Sequence, residues 1–316
     1  MKTLQSPTPF ARIGTRGSPL ALAQAQLVRR LLARAHGVAE DDIAISVIST
    51  GGDRSQASNA SLTEIGGKGL FTKEIDEAML AGDVDIGVHS SKDVATAMPA
   101  GLRLAAFLER EDVRDAFMSV KVQSLDHLGE RARFGTSSIR RAAQVLRVRP
   151  DLEIVPFRGN VGTRLQKLLD GVADATMLAM AGLNRLGEGH RATAALDPEI
   201  FMPAPAQGAI GLAVREGDAR MAELVAALDH APTHAAISAE RAMLAILDGS
   251  CRTPVGALSG GTDGRLTLRG QILSLDGKDC FESAASGSDP LEIGRKVGED
   301  LVAQAGSDWL AQWTRR

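Results

Sequence analysis

Cysteine is scarce in this chain: Cys251 and Cys280 are the two thiols among 316 residues. Two cysteines cannot form a disulfide framework, so a reducing cytoplasm is the expected compartment. Long apolar runs are missing as well. No stretch approaches 18 consecutive apolar residues, which argues against a membrane-spanning helix and a membrane partner. The opening Met1-Lys2-Thr3-Leu4-Gln5-Ser6-Pro7 lacks the apolar centre of a signal peptide. Net charge is −3, so there is no broad basic surface and no nucleic-acid partner is expected. Common chemical signatures are absent too: no CxxC, no HExxH, no GxSxG and no GxGxxG. Gly66-Gly67-Lys68-Gly69 has neither the glycine spacing nor the Ser/Thr of a phosphate loop. His230 and His234 have a metal-like spacing, but Pro232 between them is expected to break the helix that would align them. No metal site is expected.

What remains is an ordinary globular composition, 44% hydrophobic and 24% charged, in a chain long enough for two or three domains. Strand and helix alternate. Arg12–Thr15 reads as a strand, and Ser18 and Pro19 then open a helix that runs to Gly37. Ile43–Ile48 is a second strand, 50–69 a polar, Gly/Ser-rich segment expected to be mobile, and a helix covers about 70–80. Val84–Val88 is a further buried strand. A second unit begins near Asp112, with strands at 133–135, 153–157 and 174–179 and helices at 138–149 and 161–169. Ile210–Val214 reads as a strand returning to the first sheet. After about residue 233 the pattern becomes helix, short strands with Asp263-Gly264 and Asp276-Gly277 turns, and a last helix. The division expected is 1–111 with 206–230, then 112–205, then 231–316, giving an α/β fold with a small α+β C-terminal domain.

Two features carry chemistry. His89-Ser90-Ser91-Lys92-Asp93-Val94 follows a buried strand, which delivers polar groups to the rim of a sheet, where α/β proteins bind ligands. Asp93 there can hold a developing positive charge, although the segment alone reads equally well as an exposed turn. The second feature is a pair of helix openings, Thr136-Ser137-Ser138 and Arg158-Gly159-Asn160, each followed by arginines. Free N–H groups and the helix dipole favour anions there, and guanidinium forks hold carboxylates. Arg140 and Arg141, being adjacent, point about 100° apart on a helix and are expected to serve two carboxylates, not one. Cys251, beside Arg252 in a Gly/Pro loop, has a neighbour that favours the thiolate. Cys280 reads as a buried small hydrophobe.

Seven segments in this order resemble the porphobilinogen deaminase family: Thr15–Ala21, Gly66–Phe71, His89–Val94, Gly135–Arg141, Arg158–Arg164, Pro205–Ala209 and the Cys251 loop. They span residues 12 to 256. The resemblance implies two periplasmic-binding-protein-like α/β domains with an interdomain cleft, plus the small C-terminal domain. It implies a transferase that joins four porphobilinogens head to tail with loss of ammonia, giving hydroxymethylbilane. It also implies a dipyrromethane cofactor held by a thioether to Cys251. Catalytic roles then fall to Asp93 and Arg16. Ser18, Ser90, Lys92, Asp93, Thr136, Ser138, Arg140 and Arg141 would hold the cofactor. Arg16, Arg158, Arg164, Phe71, Gln24 and Gln207 would meet substrate. Ala95 stands where the family often has proline, Ser250 where it often has glycine, and Arg54 where lysine is usual. A monomer is expected. A two-domain binding protein for a small polyanion, without catalysis, and an inactive pyrrole-binding relative are the rivals. Cys251 separates them, because a mere binder has no use for a covalent anchor.

Overall fold

A computed structural model describes residues 9–52, 71–247, 253–262, 264–306 and 308–310. The Cys251 loop and residues 53–70, which include most of the segment expected to be mobile, lie outside the described residues.

The first sheet has the order β2 (Ile43–Ile48), β1 (Ala11–Arg16), β3 (Ile86–Ser90), β10 (Ile210–Arg215), β4 (Leu102–Phe107). The first three strands run parallel, and β10 is antiparallel to both of its neighbours. Helix α1 (Pro19–His36) follows β1 directly. The Ser18 hydroxyl accepts from the Ala21 N–H at 3.3 Å, Pro19 needs no partner in the first turn, and Gly37 at φ +65° ends the helix in the left-handed region. Its Ala25, Val28 and Leu32 pack onto Ile13, Ile86 and Leu212 of the sheet. Helix α2 (Lys73–Ala81) covers the sheet through Ile75 and Met79. The strand expected at 84–88 is two residues later, so β3 ends on Ser90 and a 3₁₀ turn, Ser91–Asp93, carries Lys92 and Asp93.

The second sheet has the order β7 (Glu153–Val155), β6 (Arg133–Gly135), β8 (Ala175–Ala179), β5 (Asp115–Met118), β9 (Ala194–Ala195). Here β6, β7 and β8 are parallel and β5 is antiparallel to β8. The two sheets therefore share one plan: three parallel strands, then an antiparallel strand laid down just after a crossing from the other unit. Helices α3 (Ile139–Val148), α4 (Val161–Leu169) and α5 (Met180–Arg185) belong to this unit. Strands β4 and β5, and helix α6 (Ala219–Ala226) after β10, were not anticipated from the sequence pattern.

The C-terminal domain is an antiparallel meander, β11 (Val255–Thr262), β12 (Arg265–Leu273), β13 (Cys280–Gly287), covered by α7 (Ala231–Ile246) and α8 (Pro290–Ala305). Gly294 lets the two helices meet closely, since a Cβ there would stand 2.2 Å from the Ala239 carbonyl oxygen. Pro232 does not break α7. It occupies the first turn, where a missing N–H leaves no bond unmade. The two imidazoles have separate partners, His230 on Thr233 and His234 on Asp229.

Candidate active site

Adjacent parallel strands deliver their C-terminal ends to the same rim of a sheet. In the first unit β1 therefore brings Arg16, the start of α1 brings Ser18, and β3 with its 3₁₀ turn brings Ser90, Lys92 and Asp93. Arg16, Ser18, Gln24, Phe71, Ser90 and Asp93 line one hollow of about 60 Å³. The Arg16 guanidinium carbon lies 4.4 Å above the Phe71 ring centre, a cation–π contact that fixes its direction. Gln24, buried on α1, donates through Nε2 to Ser90 Oγ at 2.9 Å. His89 also lines the hollow. Burial drives its imidazole down to about 4, the charge of Arg16 pushes the same way, and its Nε2 has no partner. That ring is neutral at physiological pH.

The second unit faces this rim with helix openings. Ser138 caps α3 by accepting from Arg141 N, and Asn160 caps α4 by accepting from Thr163 N at 2.8 Å. Thr136 Oγ1 accepts from Ser138 N at 3.1 Å. Ser18, Thr136 and Ser138 thus all accept from backbone, and an accepting hydroxyl still has its own proton to donate to a carboxylate.

Arg140 and Arg141 differ from expectation. Both bind one carboxylate, that of Asp115 on β5: Arg140 Nη2 donates to Oδ2 at 2.8 Å and Arg141 Nη2 to Oδ1 at 2.7 Å. The 100° between adjacent helical positions does not keep them apart, because two long side chains curl onto opposite oxygens of a partner in front of the helix. Burial alone would raise the Asp115 carboxyl, but the two guanidiniums hold it far below the ordinary carboxylate range. The Nε atoms of Arg140, Arg141 and Arg164 are buried without partners.

Gln207, on the return crossing, links the two sides. It is fully buried; its Nε2 donates to Val113 O (2.8 Å) and Asp115 Oδ1 (2.9 Å), while its Oε1 accepts from Lys92 Nζ (3.2 Å). Both ends of the amide are therefore engaged within the protein. Burial, reinforced by the charge of Arg141, pushes the Lys92 ammonium down to about 8, against the pull of Asp93 and Asp115. Burial and Arg141 likewise push Arg164 down to about 10, with Asp93 opposing. Lys92, Arg140, Arg141 and Arg164 thus act on one another and on two carboxylates, Asp93 and Asp115. Cations are in surplus, and an anionic ligand relieves that surplus.

The structure brings Arg16, Ser18, Gln24, Phe71, Ser90 and Asp93 into one hollow, turns the Lys92 ammonium onto Gln207 outside it, and places Arg164 within electrostatic reach of Asp93. Arg158 is half-buried in the turn before α4. Cys251 lies outside the described residues. A larger, shallow hollow of about 420 Å³ lies behind the first crossing, lined by Arg110, Asp112, Arg114 and Pro198. Its two arginines are already paired, Arg110 with Glu240 and Arg114 with Asp112, and Glu111 Oε1 accepts from Asp112 N and Asn184 Nδ2, so no cation there is open to an anionic ligand. Asp115 is the site residue that sequence reasoning missed. Asp115 opens a four-residue strand and carries no motif, so no local signal marked it.

A family profile described as porphobilinogen deaminase, dipyromethane cofactor binding domain, matches residues 11–223, and one described as porphobilinogen deaminase, C-terminal domain, matches 234–303. The porphobilinogen deaminase of Nitrobacter hamburgensis is 52% identical over 303 residues, 95% of each chain. That of Nitrobacter winogradskyi is 51% identical over the same length and share. Among solved structures, a periplasmic substrate-binding protein of an ABC transporter from Coxiella burnetii is similar at 16% identity and a TM-score of 0.44, over 73% of this chain and 97% of that one.

Proposed function

The chain belongs to the porphobilinogen deaminase family, and from that premise we propose how its own residues carry the reaction. The reaction is the condensation of four porphobilinogens into the linear tetrapyrrole hydroxymethylbilane, with release of ammonia, on a dipyrromethane cofactor. When bound, that cofactor supplies two linked pyrroles as the primer for chain growth. The residues present fit it. Pyrroles bearing acetate and propionate need cations and hydroxyl donors, and the cleft has surplus cations, three unpartnered guanidinium Nε atoms and three hydroxyls fixed by backbone N–H groups.

In this reading Ser18, Ser90, Lys92, Thr136, Ser138, Arg140 and Arg141 hold cofactor carboxylates, and Cys251 is the anchor. Arg16, steadied on Phe71, meets the incoming substrate together with Arg158, Arg164 and Gln24, and assists the departure of its amine. Gln207 acts behind the surface, holding Lys92 and Asp115 in register. Asp93 accepts pyrrole N–H groups and stabilises the positive charge that develops on the ring nitrogen as ammonia leaves. The observation that carries the reading is the placement of Asp93: it shares the Arg16–Phe71 hollow and lies within electrostatic reach of Lys92 and of Arg164 from the other unit.

The domain division at 111/112, 205/206 and 230/231, a monomeric state, a cytoplasmic location and the absence of a nucleic-acid partner complete the proposal. The net charge of −3 supports the last point. No helix among the described residues is long and apolar enough to cross a membrane.

Intact mass tests the anchor. The purified protein should exceed its sequence mass by two pyrrole units, Cys251→Ser should lose that excess, and Cys280→Ser should keep it. Asp93→Ala should keep the excess yet turn over about 100- to 1,000-fold more slowly. Near-normal turnover would remove Asp93 from its role.

A further inference from the structure

Helix α3 carries Arg140 and, one turn later, Gln144, which is 2% exposed. Gln144 Oε1 accepts from Arg140 Nη1 at 2.9 Å, and its Nε2 donates to Met202 O at 2.9 Å and to Gln271 Oε1 at 3.2 Å. Gln271 belongs to β12 of the C-terminal domain, is 3% exposed, and donates through its own Nε2 to Glu282 Oε1 at 2.6 Å. Arg140 Nη1 reaches the same Met202 carbonyl at 2.6 Å. The C-terminal domain also grips that crossing segment. Ala257 N donates to Pro203 O at 2.9 Å, and a Cβ on Gly256 would stand 2.9 Å from Met202 Cβ. Its β12–β13 turn closes on the same helix: Gly277 has φ +72°, and a Cβ there would stand 2.4 Å from the Ala143 carbonyl oxygen.

A line of buried hydrogen bonds thus runs from the C-terminal sheet to the Arg140 guanidinium. The residue type at its central joint follows from the chemistry. Gln144 must accept from a guanidinium and donate to two oxygens, and a carboxamide does both. A carboxylate could not donate, and an apolar side chain would leave the Gln271 oxygen buried and unpaired.

We propose that Gln144 and Gln271 are positioning residues for the condensation, setting the direction of Arg140 according to how the C-terminal domain is seated. The proposal rests on the reading that Arg140 holds carboxylates in the cleft. Cys251 lies four positions before β11, so the seating of the anchor's domain and the aim of the arginine are set together. Misdirecting the arginine displaces the primer without removing a substrate contact, and misplacement of a reacting group lowers kcat more than it raises KM.

The test uses the holoenzyme with Gln144→Met, Gln271→Met and the double variant, plus Gln271→Asn, which keeps the amide but draws it back by one methylene. Each Met variant is expected to lose about tenfold in kcat with KM within about twofold, while the two-pyrrole mass excess persists. The double variant should lose no more than the worse single one. Hydrogen exchange should quicken in helix 139–148 and stay unchanged in strands 265–273 and 280–287. Gln271→Asn should move both readouts in the same direction, by less, and decides the matter if Gln271→Met does not fold. Wild-type kcat in the Gln271 variants overturns the proposal. So do losses that multiply in the double variant, and so does exchange that quickens throughout the C-terminal strands or fails to quicken in the helix. Failure of the functional reading is seen separately, as a wild-type protein that consumes no porphobilinogen while exchange still reports the coupling.

Discussion

Asp76 and Asp115 are both buried aspartates behind the cleft, one in each α/β unit, and their environments drive them in opposite directions. Asp115 is fully buried with a guanidinium on each oxygen and the Gln207 amide beside them. Asp76, on α2, is 5% exposed and has no cation among the groups that shift it. Burial raises its carboxyl to about 6, the hydrogen bond with Thr72 only partly opposes this, and its Oδ1 is unpartnered. The more deeply buried of the two, Asp115, is the one that stays charged near pH 5, while Asp76 is largely protonated there. The difference lies in the partner and not in depth. A third aspartate, Asp85, is also gripped by two arginines, Arg12 at 2.8 Å and Arg215 at 3.1 Å, but those side chains remain 37% and 25% exposed.

The sharpest way to break the contrast is Asp115→Asn. It leaves two buried guanidiniums without their counter-charge, and removing one partner of such a group costs about 3–5 kcal/mol. The urea midpoint should fall accordingly with the slope unchanged. An unshifted midpoint would mean that the arginines find another partner.

Asp76→Asn should act in the other direction. The native state favours the protonated carboxyl, so its contribution is full below 3.8 and is lost as pH rises through about 6. At pH 7.5 the wild type bears the whole cost, about 3 kcal/mol, and the amide variant should be more stable by up to that amount. Destabilisation at that pH would show that the ionised carboxylate is needed.

The same variant should unmask a slope of opposite sign. His89 is held neutral, its value lowered from 6.5 to about 4, so its contribution is present above 6.5 and is lost as pH falls to about 4. In the wild type the Asp76 and His89 slopes oppose each other over nearly the same window. With Asp76→Asn, stability should climb by about 3 kcal/mol between pH 4 and 6.5 relative to a His89→Asn background. A flat profile would refute the neutral imidazole. Asp85→Asn should have the smallest effect, less than about 1 kcal/mol, because water screens the exposed partners.

Much of the architecture was legible from local pattern. Ser18, Pro19 and Gly37 mark both ends of α1, and the apolar run 210–214 reads as a strand returning to the first sheet, where β10 pairs with β3 and β4. The rim residues could be read because a strand followed by small polar residues states its own geometry. What could not be read was pairing across long separations. Asp115 lies 25 residues from Arg140, Gln207 lies 115 from Lys92, and Gln271 lies 127 from Gln144. No periodicity connects such positions; only the packed units bring them together. The arginine helix accordingly looked like an open anion site, whereas much of its hydrogen-bonding capacity is used on Asp115 and on the Met177 and Met202 carbonyls.

Strand β10 lies between β3 and β4, and the five residues Ile210–Val214 are all buried. The first sheet is therefore incomplete until the chain has been synthesised past residue 215. Until then β3 and β4 have no shared partner and expose unpaired edges on either side of the gap. The N-terminal unit cannot complete its sheet first, although most of it is made first; the pairing of β10 with β3 and β4 must wait until about a hundred intervening residues have been made. The strand that joins the units in space also orders their assembly in time.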